Sequence, residues 1–324
     1  MSTRQPNILY QLPEAAPTMR PALPPTSGTP SKKLRTNARD LNLCEALHHK
    51  GFLTTTLIHD EFWVERRGGT DGARLKDCQR RCRELLAAGI LRAFEQFIRY
   101  QEGKKPRIFA LAYGGARLLA EQRPIDFATI DWRPTSAEDN QLFLRHILTI
   151  NRLWLTFAQA CARQGVVLET WRTDRHLKKA GPPDYITLTS PQGNEQKAAV
   201  IPDSVFVIGD PARARQALMF LESDLGHVTL SPSDSERRGW QRKTQIYLQY
   251  PASDAYQQRY GAQRAVVLTV TTSAARAAHM RQVAQNAGAD TRFFFTTFDQ
   301  LTPQAALRGT IWQRAQAQGL YALL

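Results

Sequence analysis

The sequence predicts an α+β protein in two parts: three helices and a β-hairpin first, then a mixed β-sheet flanked by helices. Apolar residues recur at helical spacing over residues 39–89, whereas short β-type runs dominate from residue 166 onward. A chain of 324 residues accommodates about two domains of roughly 150 residues each. Its apolar content of 42% supplies enough side chains for two cores.

Residues 1–38 are predicted to form a disordered, proline-rich basic tail. The segment is rich in Pro, Thr and Ser, and such a composition buries too little apolar surface to offset its ordering entropy. Its basic side chains would contact phosphates without sequence specificity. They are Lys32, Lys33 and Arg35.

Residues 39–122 have the pattern of a winged helix-turn-helix. Apolar stripes predict a first helix, a short second helix and a third helix over Asp71–Gly89. Two β-type runs follow, Ile90–Ile98 and Arg107–Tyr113, joined by a basic loop. Three helices followed by a basic hairpin are typical of this fold, whose third helix lies in the major groove of DNA.

A basic stripe on the third helix and the basic loop of the hairpin are the predicted DNA contacts. The helical residues fall three, four and seven positions apart and so share one face; they are Lys76, Gln79, Arg80 and Arg83. The hairpin residues would meet the flanking phosphate backbone; they are Lys104, Lys105 and Arg107. A solvated charged face is the alternative interpretation of the stripe. Cys78 and Cys82, one helical turn apart, are interpreted as core residues.

The overall charge favours a polyanionic partner. Other features of the sequence argue against a membrane protein, a disulfide framework and a structural zinc site. A net charge of +14 suggests nucleic acid, with a merely basic protein or anionic lipid as alternatives. No apolar run approaches the ~20 residues of a membrane span, and no signal peptide is visible, so we expect a cytoplasmic protein. Four cysteines without a paired CxxC pattern argue against a disulfide framework or a structural zinc site.

Residues 123–137 are predicted to be a linker, and residues 138–324 the second domain. A long helix over Glu138–Arg163 carries His146 on its apolar face, where a hydrogen-bonded core histidine is the preferred interpretation over a ligand. The runs that begin at Ala265 and end at Thr296 predict a β-α-β unit with parallel strands. Residues 301–324 are expected to add one or two covering helices.

Three carboxylates in and beside two apolar β-runs form the predicted active site. Val200–Ile208 contains Asp203, whereas Ala217–Leu221 is followed by Glu222 and Asp224. The turn-rich gap between the runs predicts a hairpin that brings the carboxylates together. Such carboxylates repel one another unless a cation joins them or one keeps its proton. The sequence therefore predicts a Mg²⁺ site made of these three carboxylates, with a plain strand end as the alternative.

Metal-assisted cleavage of a phosphodiester also needs a positive group near the attacked phosphate. Lys243, on a predicted polar helix, is the candidate, so the predicted catalytic set is Asp203, Glu222, Asp224 and Lys243. Glu169 is a candidate fourth carboxylate. Asp184 also precedes a β-type run, but it is a weaker candidate for the aspartate of the site than Asp203. Tyr247 and Tyr250 leave a covalent tyrosine route open, although only His227 lies nearby as a histidine ligand. The sequence has no GxxxxGK[ST], GxGxxG, HExxH or GxSxG motif.

The order of four segments resembles a known family. The winged-helix pattern followed by IPDSVFVI, LMFLESDLGH, RKTQIYLQY and AVVLTVTTSAAR resembles the replication-relaxation proteins of plasmids and integrative elements over roughly residues 40–300. These are similar to the mobilisation-C class of relaxases, whose catalytic domain resembles the restriction-endonuclease PD-(D/E)XK fold. The resemblance implies that residues 138–324 form such a domain and that Asp203 and Glu222 are its motif carboxylates. Lys243 would be the motif lysine displaced onto the next helix, and Asp224 stands where the motif has lysine.

Two functions follow from these observations. The first is Mg²⁺-dependent nicking or relaxation of double-stranded plasmid or mobile-element DNA during mobilisation or replication, with other mobilisation or replication proteins as partners. The second is a non-enzymatic origin-binding or replication-control protein with an inactive nuclease-like domain. A scaffold that recruits partner proteins is a third, weaker idea. The sequence leaves the DNA target, the cation, a covalent intermediate and the oligomeric state open.

Overall fold

The computed structural model has a helical N-terminal part with a small sheet and a C-terminal part built on a six-stranded mixed sheet. It describes residues 34–63, 70–94, 105–132, 141–189, 193–226, 239–261 and 263–324. The predicted mixed α+β class is thereby confirmed. Residues 1–33 of the predicted tail, residues 133–137 of the predicted linker, Lys104 and His227 lie outside the described residues.

The N-terminal part contains the predicted three helices and two strands in the predicted order. Its elements are α1 (Ala38–Lys50), β1 (Leu53–Thr54), α2 (Thr55–Phe62), α3 (Asp71–Ala87), β2 (Leu91–Phe94), β3 (Ile108–Leu111) and α4 (Tyr113–Gln122). The strands form an antiparallel sheet in the order β1-β3-β2. Side chains of Asn37, Thr54 and Thr70 accept backbone hydrogen bonds at the starts of the first three helices. Two elements were not predicted from the sequence. They are α4 and β1, whose two residues are too few to show a periodicity.

Part of the predicted linker packs against the N-terminal core. Ile130 is buried, and Ile125, Phe127 and Trp132 lie against the same core. Apolar side chains therefore hold residues 123–132 in place, although their lack of periodicity is typical of a linker.

The C-terminal part is organised around β7 and β8, the predicted carboxylate-bearing hairpin. Its elements are α5 (Gln141–Gln164), β4 (Val167–Thr173), α6 (Asp174–Ala180), β5 (Asp184–Thr189), β6 (Glu195–Val200), β7 (Ser204–Asp210), β8 (Arg215–Ser223), α7 (Trp240–Gln249), α8 (Asp254–Tyr260), β9 (Ala265–Thr271), α9 (Ala274–Asn286), β10 (Phe293–Thr297) and β11 (Gln313–Arg314). The sheet order is β11-β10-β9-β8-β7-β4, and β5 pairs with β6 separately. The hairpin is antiparallel, and β8, β9 and β10 run parallel, which confirms the predicted β-α-β unit.

Alternating side chains of β7 and β8 build two cores, one on each face of the sheet. Val205 and Phe220 point to the face covered by α7 and α9, whereas Phe206 and Leu221 point to the face covered by α5. Helices therefore cover both faces, as predicted. None of the helices in the described part of the chain is long and apolar enough to cross a membrane.

The predicted covering helices are absent from residues 301–324, all of which the structure describes. This segment consists of turns and β11, with Leu307 and Trp312 fully buried. Pro303, Gly309 and Gly319 interrupt the segment, and its apolar residues pack individually against the sheet. The helical prediction for this segment is therefore wrong.

Candidate active site

Two of the predicted catalytic carboxylates meet where β7 begins and β8 ends. Ser204 pairs with Leu221 at the last rung of the hairpin, so Asp203 and Glu222 come opposite each other one position further on. Asp203 Oδ2 accepts a hydrogen bond of 2.7 Å from the backbone N–H of Ser223. The Glu222 side chain is only 3% exposed, whereas that of Asp203 is 17% exposed. Hairpin register thus places one carboxylate in the interior and the other at the rim.

Helix α7 supplies two side chains to Glu222. Lys243 and Tyr247 are four positions apart and so lie on one face of the helix. Lys243 Nζ donates to Glu222 Oε2, and the Tyr247 hydroxyl donates to Glu222 Oε1. Lys243 therefore reaches the carboxylates from the next helix, and Tyr247 fixes the orientation of the Glu222 carboxylate.

Helix α5 brings His146 to the other carboxylate. His146 Nε2 lies 3.5 Å from Asp203 Oδ1, and the histidine side chain is 27% exposed. His146 thus pairs with a carboxylate, in keeping with its interpretation as a hydrogen-bonded histidine, but it lies at the rim of the site and not in the core. Its helical spacing with apolar neighbours placed it on the inner face, but spacing alone does not distinguish the core from the rim of a site.

The electrostatics of the site shift the pKa values of the two carboxylates in opposite directions. Burial raises the pKa of Asp203, but the Lys243 and His146 charges outweigh it, so the net direction is downward. Burial raises the pKa of Glu222 to about 7, and the Asp203 charge adds to this effect against Lys243. Burial lowers the pKa of Lys243, but the two carboxylates raise it well above its ordinary value. Burial lowers the pKa of His146, but Asp203 raises it above its ordinary value, so Lys243 and His146 together supply the positive charge that faces the two carboxylates.

Asp224, the third predicted carboxylate, is engaged elsewhere. Thr271 Oγ1 donates to its Oδ2 at 2.6 Å, and Arg276 Nη2 donates to its Oδ1 at 3.0 Å. Burial raises the Asp224 pKa, but Arg276 and Thr271 outweigh it and lower the pKa. Within the described ranges, no three His, Cys, Asp or Glu residues are grouped to hold a metal ion. The predicted trio is therefore divided into a pair and a buried ion pair.

The remaining carboxylate candidates lie away from this pair. Glu169 lies between Leu168, the partner of Ile208, and Thr170, the partner of Val207, about 12 Å along β7 from Ser204. It accepts a hydrogen bond of 2.8 Å from Gln216. Asp184 accepts a hydrogen bond of 2.7 Å from Arg259 Nε. Neither side chain belongs to the cluster around Glu222, which consists of Asp203, Glu222, Lys243, Tyr247 and His146.

Both tyrosines considered as nucleophiles are buried and used as hydrogen-bond donors. Tyr247 donates to Glu222, and Tyr250 donates to Asp184. Burial and these carboxylates raise the pKa of both phenols, so neither ionises near neutral pH. This arrangement disfavours a covalent tyrosine route.

The predicted DNA-contacting stripe of α3 is exposed. Lys76, Gln79 and Arg83 lie at the surface, whereas Arg80 donates to Asp77 at 2.6 Å and also pairs with Glu84. In the hairpin, Arg107 is exposed and Lys105 is half-buried. Cys78 and Cys82 are buried, as predicted for core residues.

Asp203 and Glu222 suit a Mg²⁺ ion by the chemistry of their donors. Mg²⁺ is commonly bound by one or two carboxylates, with water and substrate phosphate completing its shell. Asp203 is partly exposed and carries a lowered pKa, so it is ionised at neutral pH. Glu222 is paired with Lys243, so a cation bound here would share the Glu222 carboxylate with that lysine. A two-carboxylate site fits these residues better than the predicted three-carboxylate site.

The fold and the site define a class: an α+β protein whose mixed-sheet part carries two carboxylates and a lysine at the end of one hairpin. A model of the replication-relaxation family matches residues 45–266, which include all the predicted catalytic residues. The chain belongs to this replication-relaxation family. Membership indicates a role in replication or relaxation and an association with DNA. No curated protein and no solved structure gives a significant match.

Proposed function

We propose that the protein binds DNA of a plasmid or integrative element and nicks or relaxes it by Mg²⁺-dependent phosphodiester cleavage. The C-terminal part would then be a restriction-endonuclease-like nuclease. One observation carries it: Asp203, Glu222 and Lys243 come together at the end of one hairpin. Two carboxylates and an ammonium group are what metal-assisted cleavage requires.

Each residue of the site has a distinct role in this proposal. Asp203 and Glu222 would hold the cation, which, when bound, lowers the pKa of a water molecule and neutralises charge on phosphate oxygens. Lys243 Nζ orients the attacking water or stabilises charge on the phosphate. Tyr247 holds the Glu222 carboxylate in place, and His146 restrains Asp203.

DNA recognition is assigned to the N-terminal part as a winged helix-turn-helix. The order α1-β1-α2-α3-β2-β3 and the antiparallel sheet support this assignment. The exposed face of α3 would enter the major groove of double-stranded DNA, with Lys105 and Arg107 beside the backbone. Arg80 would exchange its intrahelical carboxylate partners for phosphate.

Incubation with supercoiled plasmid carrying the cognate origin tests the cleavage proposal. We expect open circles with Mg²⁺, none with EDTA, and loss of at least about 100-fold in rate for Asp203→Ala, Glu222→Ala and Lys243→Ala. Glu169→Ala is the matched control, because it removes a carboxylate of the same sheet outside the cluster. Full activity in Asp203→Ala and Glu222→Ala would show that the site is wrongly assigned.

A second candidate function, non-enzymatic origin binding or replication control, is favoured by the internal pairing of the carboxylates. Glu222 is bonded to Lys243 and Tyr247, and Asp224 to Arg276, so the cluster is stable without a metal. This function predicts salt-sensitive origin binding, no cleavage with any divalent cation and unchanged binding in Asp203→Ala.

A further inference from the structure

A cavity of about 270 Å³ lies between α5 and α6, beside the candidate active site. Helices α5 and α6 form its two main walls, and His49 and Lys50 of α1 also line it. The apolar residues of the α5 wall are Phe143, Ile147 and Ile150, beside His146 and Asn151. The cations of the α6 wall are Arg175, Lys178 and Lys179, beside Asp174. A ligand with an apolar face and an anionic group matches both walls.

Two residues join this cavity to the candidate active site. His146 lines the cavity and lies 3.5 Å from the Asp203 carboxylate. Asp174 also lines the cavity, and its backbone N–H donates to the Asp203 carbonyl at 3.1 Å. A molecule in the cavity would therefore lie next to whatever binds at Asp203.

The α6 wall keeps an excess of positive charge after its ion pairs are counted. Lys178 pairs with Asp174 at 3.0 Å, whereas Arg175 and Lys179 share the single carboxylate of Asp131. Three cations thus face two carboxylates. The pKa of the adjacent His176 is lowered to about 4, first by burial and then by neighbouring positive charge.

We propose that this cavity takes one unpaired nucleotide of the DNA strand, next to the bond that is cut. The base would lie against Phe143 and Ile147, and its phosphate against the α6 cations, the combination typical of single-strand binding. A base inside a duplex is stacked on both sides and cannot present a face to an apolar wall, so the strand must be single or locally melted here. The position next to the bond that is cut rests on the proposed function, whereas binding of the nucleotide does not.

Fluorescence anisotropy of a labelled single-stranded oligonucleotide, measured in EDTA against a duplex of the same sequence, tests the proposal. We expect Phe143→Ala to weaken single-strand binding about tenfold and to leave duplex binding unchanged. Lys178→Ala should reduce the slope of log affinity against log salt by about 0.7 for the single strand. Phe143 is 38% exposed, so its truncation leaves the core intact.

Arg213→Ala is a closely matched control for the charge removal. Arg213 is 58% exposed and pairs with Asp210 at 3.4 Å, whereas Lys178 is 57% exposed and pairs with Asp174 at 3.0 Å. Arg213 lies in the β7–β8 turn, at the far end of the hairpin from Asp203. Its removal should leave the single-strand slope unchanged.

Three results would overturn the inference: unchanged single-strand binding in Phe143→Ala and Lys178→Ala, equal weakening of duplex and single strand, or competition by a free deoxynucleoside monophosphate as effective as that by the strand. The last result would assign the cavity to a small molecule. Because binding is measured without a divalent cation, its outcome is separate from plasmid nicking. Cavity-dependent binding without nicking would refute the nuclease proposal alone, and nicking without cavity-dependent binding would refute this inference alone.

Discussion

The carboxyl group of Glu222 changes its protonation state near neutral pH because it is buried. Its carboxyl is almost fully buried and has a pKa of about 7 in the folded protein, against an ordinary value of 4.5. Because the folded-state pKa is the higher one, Glu222 stabilises the fold fully below about pH 4.5. That contribution is lost as the pH rises through 7.

The pH dependence of stability should therefore differ between the wild type and Glu222→Gln. In EDTA, we expect the wild type to lose about 2–3 kcal/mol of unfolding free energy relative to Glu222→Gln between pH 5 and pH 8. Denaturant unfolding at several pH values measures the difference. Glu169→Gln, which replaces a carboxyl outside the cluster, is the control. Parallel wild-type and Glu222→Gln curves would contradict the raised pKa.

At this scale the sequence predicts the pair and Lys243, but not the position of His146 or the partners of Asp224. Apolar runs and a turn-rich gap define the hairpin register, which puts Asp203 opposite Glu222. The division of the trio depends on Arg276, which is 52 positions from Asp224 along the chain and reaches it only through the packing of α9 on β9 and β10. No local pattern shows such a long-range ion pair.

Among the elements, α4 packs unusually close to the turn between α3 and β2. A Cβ atom at Gly115 would overlap the carbonyl oxygen of Ile90 and lie 2.7 Å from Leu111 Cδ1. Backbone atoms cannot move aside as a flexible side chain can, so this contact requires glycine.

Gly115→Ala should therefore destabilise the N-terminal part by about 1–3 kcal/mol, the usual cost of overpacking. Gly72→Ala is the control, because a Cβ atom there meets nothing within 4 Å and α3 gains helix propensity. Thermal unfolding of the two variants checks the expectation. Equal midpoints would show that the α4 contact yields easily.

Element by element, periodic segments were predictable and irregular ones were not. The hairpin and the β-α-β unit follow from apolar runs and their spacing. The helical prediction for residues 301–324 is wrong because Pro303 and Gly309 interrupt the segment, and its buried apolar residues do not recur at helical spacing. Burial without periodicity does not distinguish a helix from turns.

In the whole molecule, α5 belongs to both parts. Leu155 lies in the N-terminal core, and Phe157 lies in the core under the large sheet. The buried Asn151 Nδ2 donates to the backbone carbonyl of Phe52 at 2.7 Å and to that of Lys50 at 3.2 Å. The two parts are therefore joined through the side chains of one helix.

Asn151→Ala should lower the unfolding free energy by about 1–3 kcal/mol, because it leaves buried carbonyl groups without their donor. Because the parts share α5, we expect one calorimetric transition for the wild type and two for Asn151→Ala, in which the parts uncouple. Thr156→Ala, on the same helix, removes only a surface hydrogen bond to Arg152 and should change stability by less than about 0.5 kcal/mol. An unaltered Asn151→Ala transition would show that the other contacts join the parts without this hydrogen bond.

The shared helix has a consequence for where DNA would be cut. Asn151 ties α5 to the N-terminal part, and His146, five residues earlier or about 7.5 Å along the axis, lies against Asp203. Because this connection is short and helical, the proposed DNA-binding part and the proposed cleavage site at Asp203 cannot move independently. Helix α5 would then fix the distance between the two sites, so that each cut falls at a constant number of nucleotides from the DNA sequence that the N-terminal part binds.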